Sequence, residues 1–264
     1  MLSRSIGNGC CLRSFTNNNS GTMTKQVPVY INNYNRLETV KNLLIEFERL
    51  NSVTPIHVVI VDNASTYPPL LDWYSENESS PDFTIHRRSD NGGPRGYYDA
   101  LNKMQESFNS PFYCVCDPDI DISECPSDLL LHLQDGLSDR RIMKTGPGLK
   151  LSDIPKDGPI YRQILDIENR YRKANDGKWW DAEIDTTFFM ARNGDPFAYG
   201  PALRMMAPYE VRHLPYYYMP GKLTDEERWY LENLPTKHKT GLYWSTLMTQ
   251  TPKMFDETKS AIAT

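Results

Sequence analysis

The chain has no run of about 18 apolar residues, so no membrane-crossing helix is expected. It has no basic excess either. Twenty-nine Lys and Arg stand against 34 Asp and Glu, giving a net charge of −5 and a pI near 5.6. That balance speaks against a nucleic-acid partner. Cysteines are few and odd in number: Cys10, Cys11, Cys114, Cys116 and Cys125, with no zinc-type spacing. Cys114 and Cys116 share one face of a strand and are too close in sequence for a good disulfide, so free thiols in a reducing, cytoplasmic setting are expected. Two glycine motifs are missing as well. No Gly-x-Gly-x-x-Gly follows the first strand, and there is no Gly-x-x-x-x-Gly-Lys-Ser/Thr. Their absence argues against a hydride-transfer dehydrogenase and an ordinary ATPase. Residues 1–25 contain Arg4, Arg13 and Lys25, many Ser and Asn and no acidic residue. They read as a disordered extension, with a targeting segment as the alternative.

What remains is the composition of a globular protein: 264 residues, 39% hydrophobic and 24% charged. That length suits one large domain or one and a half. From Gln26 onward strand and helix patterns alternate. Val27–Ile31 and the β-branched run Ile56–Val61 read as strands, the second covered on both faces. Leu37, Val40, Leu43, Leu44 and Phe47 fall on one stripe and predict a helix over 36–50. A helix near 69–76, a strand over 83–86, a helix over 96–108 and a strand over 112–116 follow. This order predicts an α/β fold with a mostly parallel central sheet flanked by helices and right-handed crossovers. In such sheets ligands bind beyond the carboxyl ends of the strands.

Polar clusters fall at those ends. They are Asn32-Asn33-Tyr34-Asn35-Arg36, Asp62-Asn63-Ala64-Ser65, Asn91-Gly92-Gly93-Pro94-Arg95 and Asp117-Pro118-Asp119-Ile120-Asp121. Taken singly each has a structural reading: Asp62 and Ser65 as helix caps, Asn91-Gly92 as a turn, the acids as a solvated turn. The aspartates are the most informative. Carboxylates two residues apart at the end of a buried strand repel one another unless a cation neutralises them. A hard divalent cation takes one or two carboxylates and completes its shell with water and phosphate oxygens. The pattern therefore points to a metal–diphosphate site.

With these motifs in order, Val27–Asp121 resembles the nucleotide-sugar half of GT-A glycosyltransferases, specifically the family 2-like group of small bacterial and large-DNA-virus enzymes. The elements that carry the resemblance are Tyr34-Asn35-Arg36, Val61-Asp62-Asn63-Ala64-Ser65, Asn91-Gly92-Gly93 and the Asp-x-Asp. The resemblance implies a nucleotide-sugar donor, a glycan or glycoconjugate acceptor and Mn²⁺ or Mg²⁺. It implies that Asp62 and Asn63 read the nucleotide, that Tyr30, Asn32 and Arg36 line the base pocket, and that Asn91, Gly92, Gly93 and Arg95 lie beside ribose and diphosphate. Asp117 is expected near the ribose or a metal-bound water, Asp119 on the metal, and His213 as a further ligand. Asp121 has no counterpart and reads as a cap for a helix near Pro126.

The later part is less regular. A strand over 142–151, interrupted at Gly146-Pro147-Gly148, and a helix over 160–174 are expected. Trp179 and Trp180 would point apart on a regular element, one into the core and the other free to serve as a sugar platform. Glu183 and Asp185 project to one face ahead of the strand Phe188–Ala191. The resemblance implies an acidic general base in this region, with Asp185 first, Glu183 second and Asp181 next. Thr224–Glu227 is a capping box, which removes Glu226 and Glu227 from the catalytic candidates. The expected division is 1–25 as extension, 26–128 as the nucleotide-sugar-binding half and 129–264 as the acceptor-binding and catalytic half of the same domain. The expected reaction is a single inverting displacement. A sugar nucleotidyltransferase or an inactive carbohydrate-binding protein are the alternatives.

Overall fold

The computed structural model describes residues 25–172, 176–195, 200–219 and 221–235. The proposed N-terminal extension up to residue 24, with Cys10 and Cys11, lies outside the described residues, as does the chain after 235. The first half runs β1 (Val27–Asn33), α1 (Glu38–Asn51), β2 (Ile56–Asp62), α2 (Pro68–Asn77), β3 (Phe83–Arg87), α3 (Tyr97–Met104) and β4 (Phe112–Cys116). Then follow β5 (Ile120–Asp121), α4 (Leu129–Gly136), β6 (Lys144–Leu149), α5 (Tyr161–Glu168), β7 (Trp179–Asp181), β8 (Phe188–Arg192), β9 (Ala202–His213) and α6 (Asp225–Asn233).

The strands form one curled sheet in the order β3-β2-β1-β4-β8-β6-β9-β5, with β7 on β9. The first four are parallel, as the alternation of strand and helix requires. β8 enters antiparallel between β4 and β6, and β6 and β9 run parallel. Side chains alternate between two cores. Val29, Ile31, Val58, Ile60, Cys114, Cys116, Phe188 and Met190 face α1, α2, α4 and α5. Tyr30, Val59, Val61, Tyr113, Val115 and Phe189 face α3. Both cysteines of β4 are therefore buried on one face, and both are free thiols.

Helix α1 buries Val40, Leu43, Phe47 and Leu50, spaced three and four apart, and Phe47 meets Phe188 edge-on at 6.2 Å. The helix expected over 96–108 is regular only to Met104 and then tightens into a 3₁₀ turn that ends at Asn109 in a left-handed conformation. The helix expected over 160–174 likewise gives way to a 3₁₀ turn at Asn169–Tyr171; Ala174 lies outside the described residues. Gly146-Pro147-Gly148 does not interrupt β6. The break lies in the pairing: Pro147 faces Met205 and Gly148 faces Glu210, so residues 206–209 bulge out of β9. Asp121 is not a helix cap. It lies in β5, and its carboxylate pairs with Arg212 on β9 at 3.1 Å. Among the described residues no helix is long and apolar enough to cross a membrane.

Candidate active site

The carboxyl ends of β1, β2 and β4 meet on one edge of the sheet, and three loops are tied together there. Asn33 faces Asp62 across β1 and β2. The Asn63 amide donates to Asn32 Oδ1 at 2.8 Å, and Asn32 Nδ2 donates to the Gly93 carbonyl at 3.1 Å. Asn91 Oδ1 accepts from the Gly93 amide at 2.8 Å, and Gly93 adopts φ +62°. A Cβ on Gly96 would lie 1.8 Å from Asn63 Oδ1, so this close approach requires glycine. Asn32, Asn63 and the Asn91–Gly93 loop thus form one hydrogen-bonded unit. Arg95 is exposed at its rim.

Asp62 is almost wholly buried, and its Oδ2 accepts from the Ser65 amide at 3.3 Å. Burial pushes its carboxyl up, against the bonds from Ser65 and the Arg87 charge. Tyr30 lies in the α3-side core with no exposed surface, so it does not line an opening. Arg36 is also fully buried, and its surroundings differ from those of a base pocket. Its Nη2 donates to the Tyr218 hydroxyl at 2.7 Å and lies 3.7 Å from Asp119 Oδ2, with Tyr230 stacked 3.9 Å from the guanidinium. Among the described residues its Nε and Nη1 have no hydrogen-bond acceptor.

The acids after β4 converge with residues from distant segments. The Asp117 amide donates to the Thr187 carbonyl at 3.0 Å, which sets β4's end against the turn before β8. Ile120 pairs with His213 across β5 and β9, and His213 Nε2 comes within 3.7 Å of Asp119 Oδ1. Burial, together with Asp119 and Asp185, pushes the Asp117 carboxyl up to about 8. Burial would also raise Asp119, but His213 and Arg36 outweigh it and hold this carboxyl below its usual value. Burial would lower His213, and Asp119, Asp117 and Asp185 outweigh it in the other direction, so the imidazole is raised.

Asp185 is exposed as a residue, yet its carboxyl turns inward. Oδ1 accepts from the Thr187 amide at 2.9 Å and the Thr187 hydroxyl at 2.6 Å. Burial of the carboxyl would raise it; these bonds, with Arg204 and His213, bring it below its usual value. Asp185 also lines a small cavity with Ile184, Thr187, Phe188 and Arg204. Glu183 is exposed, and its carbonyl accepts from Arg204 Nε at 2.8 Å. Of the paired tryptophans, Trp179 is core and Trp180 is half-buried beside Arg172, so only Trp180 has surface to offer a sugar.

Among the described residues no three His, Cys, Asp or Glu side chains gather closely enough to hold a metal unaided. Asp119's two oxygens instead face Arg36 and His213. Carboxylate oxygens of the kind Asp117 and Asp119 carry are the donors a hard cation takes, with water and phosphate oxygens completing its shell. Sequence reasoning missed Arg36 as Asp119's buried partner. It also missed Glu226, whose Oε2 accepts from the amides of Leu37 and Glu38 at 2.6 and 2.7 Å.

No protein-family model matches the chain, and no curated protein does. Several solved structures are similar to it. A mannosyltransferase from Pyrobaculum calidifontis in complex with GDP-Man and Mn²⁺ aligns over 89% of this chain and 75% of its own, at 14% identity and a TM-score of 0.46. GalNAc-T7 with UDP, GalNAc and Mn²⁺ aligns over 71% of this chain and 43% of its own, at 16% identity and a TM-score of 0.45. Glucosyl-3-phosphoglycerate synthase from Mycobacterium tuberculosis, with Mn²⁺, UDP and glucosyl-3-phosphoglycerate, aligns over 64% of this chain and 57% of its own, at 9% identity and a TM-score of 0.39. The chain spans three quarters of the first structure and about half of the other two.

Proposed function

We propose that the protein is a metal-dependent, inverting glycosyltransferase that moves a sugar from a nucleotide-sugar donor to a hydroxyl of a glycan or glycoconjugate. The observation that carries this reading is the convergence of Asp117, Asp119, His213 and Asp185 on the sheet edge, next to the linked Asn32, Asn63 and Asn91–Gly93 loops. Asp62 and Asn63 read the nucleotide, and the Asn91–Arg95 loop lies along ribose and diphosphate. Asp117 and Asp119, with water and diphosphate oxygens completing the shell and His213 alongside, would hold Mn²⁺ or Mg²⁺, which would supply Lewis-acid neutralisation of the diphosphate leaving group.

The acceptor side belongs to the turn before β8. Thr187 fixes one oxygen of Asp185 and keeps its carboxylate ionised. Asp185 takes the proton of the attacking hydroxyl as that oxygen meets the anomeric carbon, and Glu183 is the neighbouring reserve. Trp180 offers a ring face to the acceptor sugar. Incubation with a panel of nucleoside-diphosphate sugars and Mn²⁺ or Mg²⁺ tests the reading. Release of nucleoside diphosphate with a glycosylated product supports it. Pyrophosphate formed from a nucleoside triphosphate and a sugar phosphate would replace it with a nucleotidyltransferase.

A further inference from the structure

We propose that α6 is a latch over the donor-side edge, held by Glu226 and Tyr230, and that a nucleotide enters only when α6 undocks. The proposal rests on the donor binding at this edge. Glu226, Trp229, Tyr230 and Asn233 of α6 all reach the loops that follow β1 and β2. Glu226 caps the first amides of α1, whose own N-cap, Leu37, has no side-chain oxygen to offer. The Tyr34 hydroxyl donates to the Asn233 carbonyl at 2.8 Å, and the Tyr34 and Tyr230 rings meet edge-on at 6.2 Å. Trp229 packs on Tyr67 at 5.7 Å and donates from Nε1 to Thr66 Oγ1 at 3.4 Å. Tyr230 covers the guanidinium of Arg36, which in turn faces Asp119. Tyr230 of the docked helix thereby reaches the acid cluster through Arg36.

The helix itself is poorly suited to hold this place unaided. It has nine residues, and Leu231 is its one fully buried apolar side chain. A helix this short is not stable in isolation, so its order depends on its docking contacts. Four of its residues are acidic, Asp225, Glu226, Glu227 and Glu232, against one base, Arg228. An anionic diphosphate arriving at the same edge is repelled by that charge, so nucleotide binding and α6 docking oppose each other. Thr224 and Glu227 close α6's own capping box. Glu226 is therefore not needed to start α6 and serves α1 instead.

Glu226→Ala removes both bonds to α1 and leaves the capping box in place. The variant should bind GDP or UDP with Mn²⁺ roughly tenfold more tightly, because apparent affinity scales with the population of the open state. In the wild-type protein, saturating GDP or UDP with Mn²⁺ should speed amide hydrogen exchange in 225–233. Trp229→Ala, which loosens the same helix without touching α1, should act in the same direction. Equal affinity in wild type and both variants, with α6 more protected when nucleotide is bound, would overturn the latch and leave the glycosyltransferase reading standing. No nucleotide binding by any of the three proteins would overturn both.

Discussion

Replacing Asp119 by alanine should do more than abolish metal-dependent turnover. Arg36 has no exposed surface, and Asp119 is its carboxylate partner at 3.7 Å. Two unit charges at that distance attract by about 4–5 kcal/mol at an effective dielectric of about 20. Removing Asp119 forfeits this attraction and strands the guanidinium against Tyr218 and Tyr230, while relieving the cost of burying the carboxylate itself. Breaking one side of a buried pair typically costs about 3–5 kcal/mol. The 3.7 Å separation is longer than a direct hydrogen bond, which places the expected loss near the low end, about 3 kcal/mol. Arg36→Met keeps the apolar stem and removes the charge, so Asp119→Ala in an Arg36→Met background should cost far less than in the wild type. Urea unfolding of wild type, both single variants and the double variant, with EDTA present, gives the coupling energy directly. A value of about 2–3 kcal/mol is expected at unchanged m. If the two single effects add to within about 0.5 kcal/mol, Arg36 is not Asp119's partner and the electrostatic account of the cluster fails.

Asp185→Asn should lower sugar transfer by roughly 10²–10⁴-fold with donor affinity unchanged, and Glu183→Gln should be much milder; steady-state kinetics with the reverse ranking would move the base to Glu183. Asp62→Ala should weaken nucleotide binding by about 1.5–3 kcal/mol in calorimetry, and unchanged affinity would reduce Asp62 to the Ser65 turn it already makes. Asp117 carries a raised pKa of about 8, so the metal-free native state keeps its proton longer than the unfolded chain does. Its contribution is therefore lost as pH rises from the ordinary carboxylate range to about 8. Asp117→Asn should gain in Tm on the wild type across that window in EDTA, and a constant difference would refute the assignment.

The first half of the fold was legible because its strands are short apolar runs and α1 has an unmixed stripe. Strand β9 was not legible. Arg204, Pro208 and Glu210 break its alternation, and the bulge at 206–209 shifts its register, so neither a period of two nor a buried run shows. His213 was picked out by its neighbours in sequence, and its closeness to Asp119 comes from the Ile120–His213 pairing, which no local pattern encodes. Arg36 read as a ligand group because the turn that carries it resembles a nucleotide-binding turn. Its burial depends on Tyr218 and Tyr230, far along the chain. Glu226 sits in a capping box that the sequence shows, yet its bond to α1 spans too many residues for a capping rule to find.

The antiparallel seam between β4 and β8 bears on how the protein is made. During synthesis β1, β2, β3 and β4 leave the ribosome in that order and can pair at once, since their helices separate them locally. β4 then presents Phe112–Cys116 as a bare edge until β8 emerges to cover it. Over the same interval the aspartates after β4 have neither Thr187 nor His213 to meet. A nascent chain stalled between these two strands would carry an apolar, adhesive edge beside uncompensated negative charge, and chaperone demand should peak there rather than at either terminus.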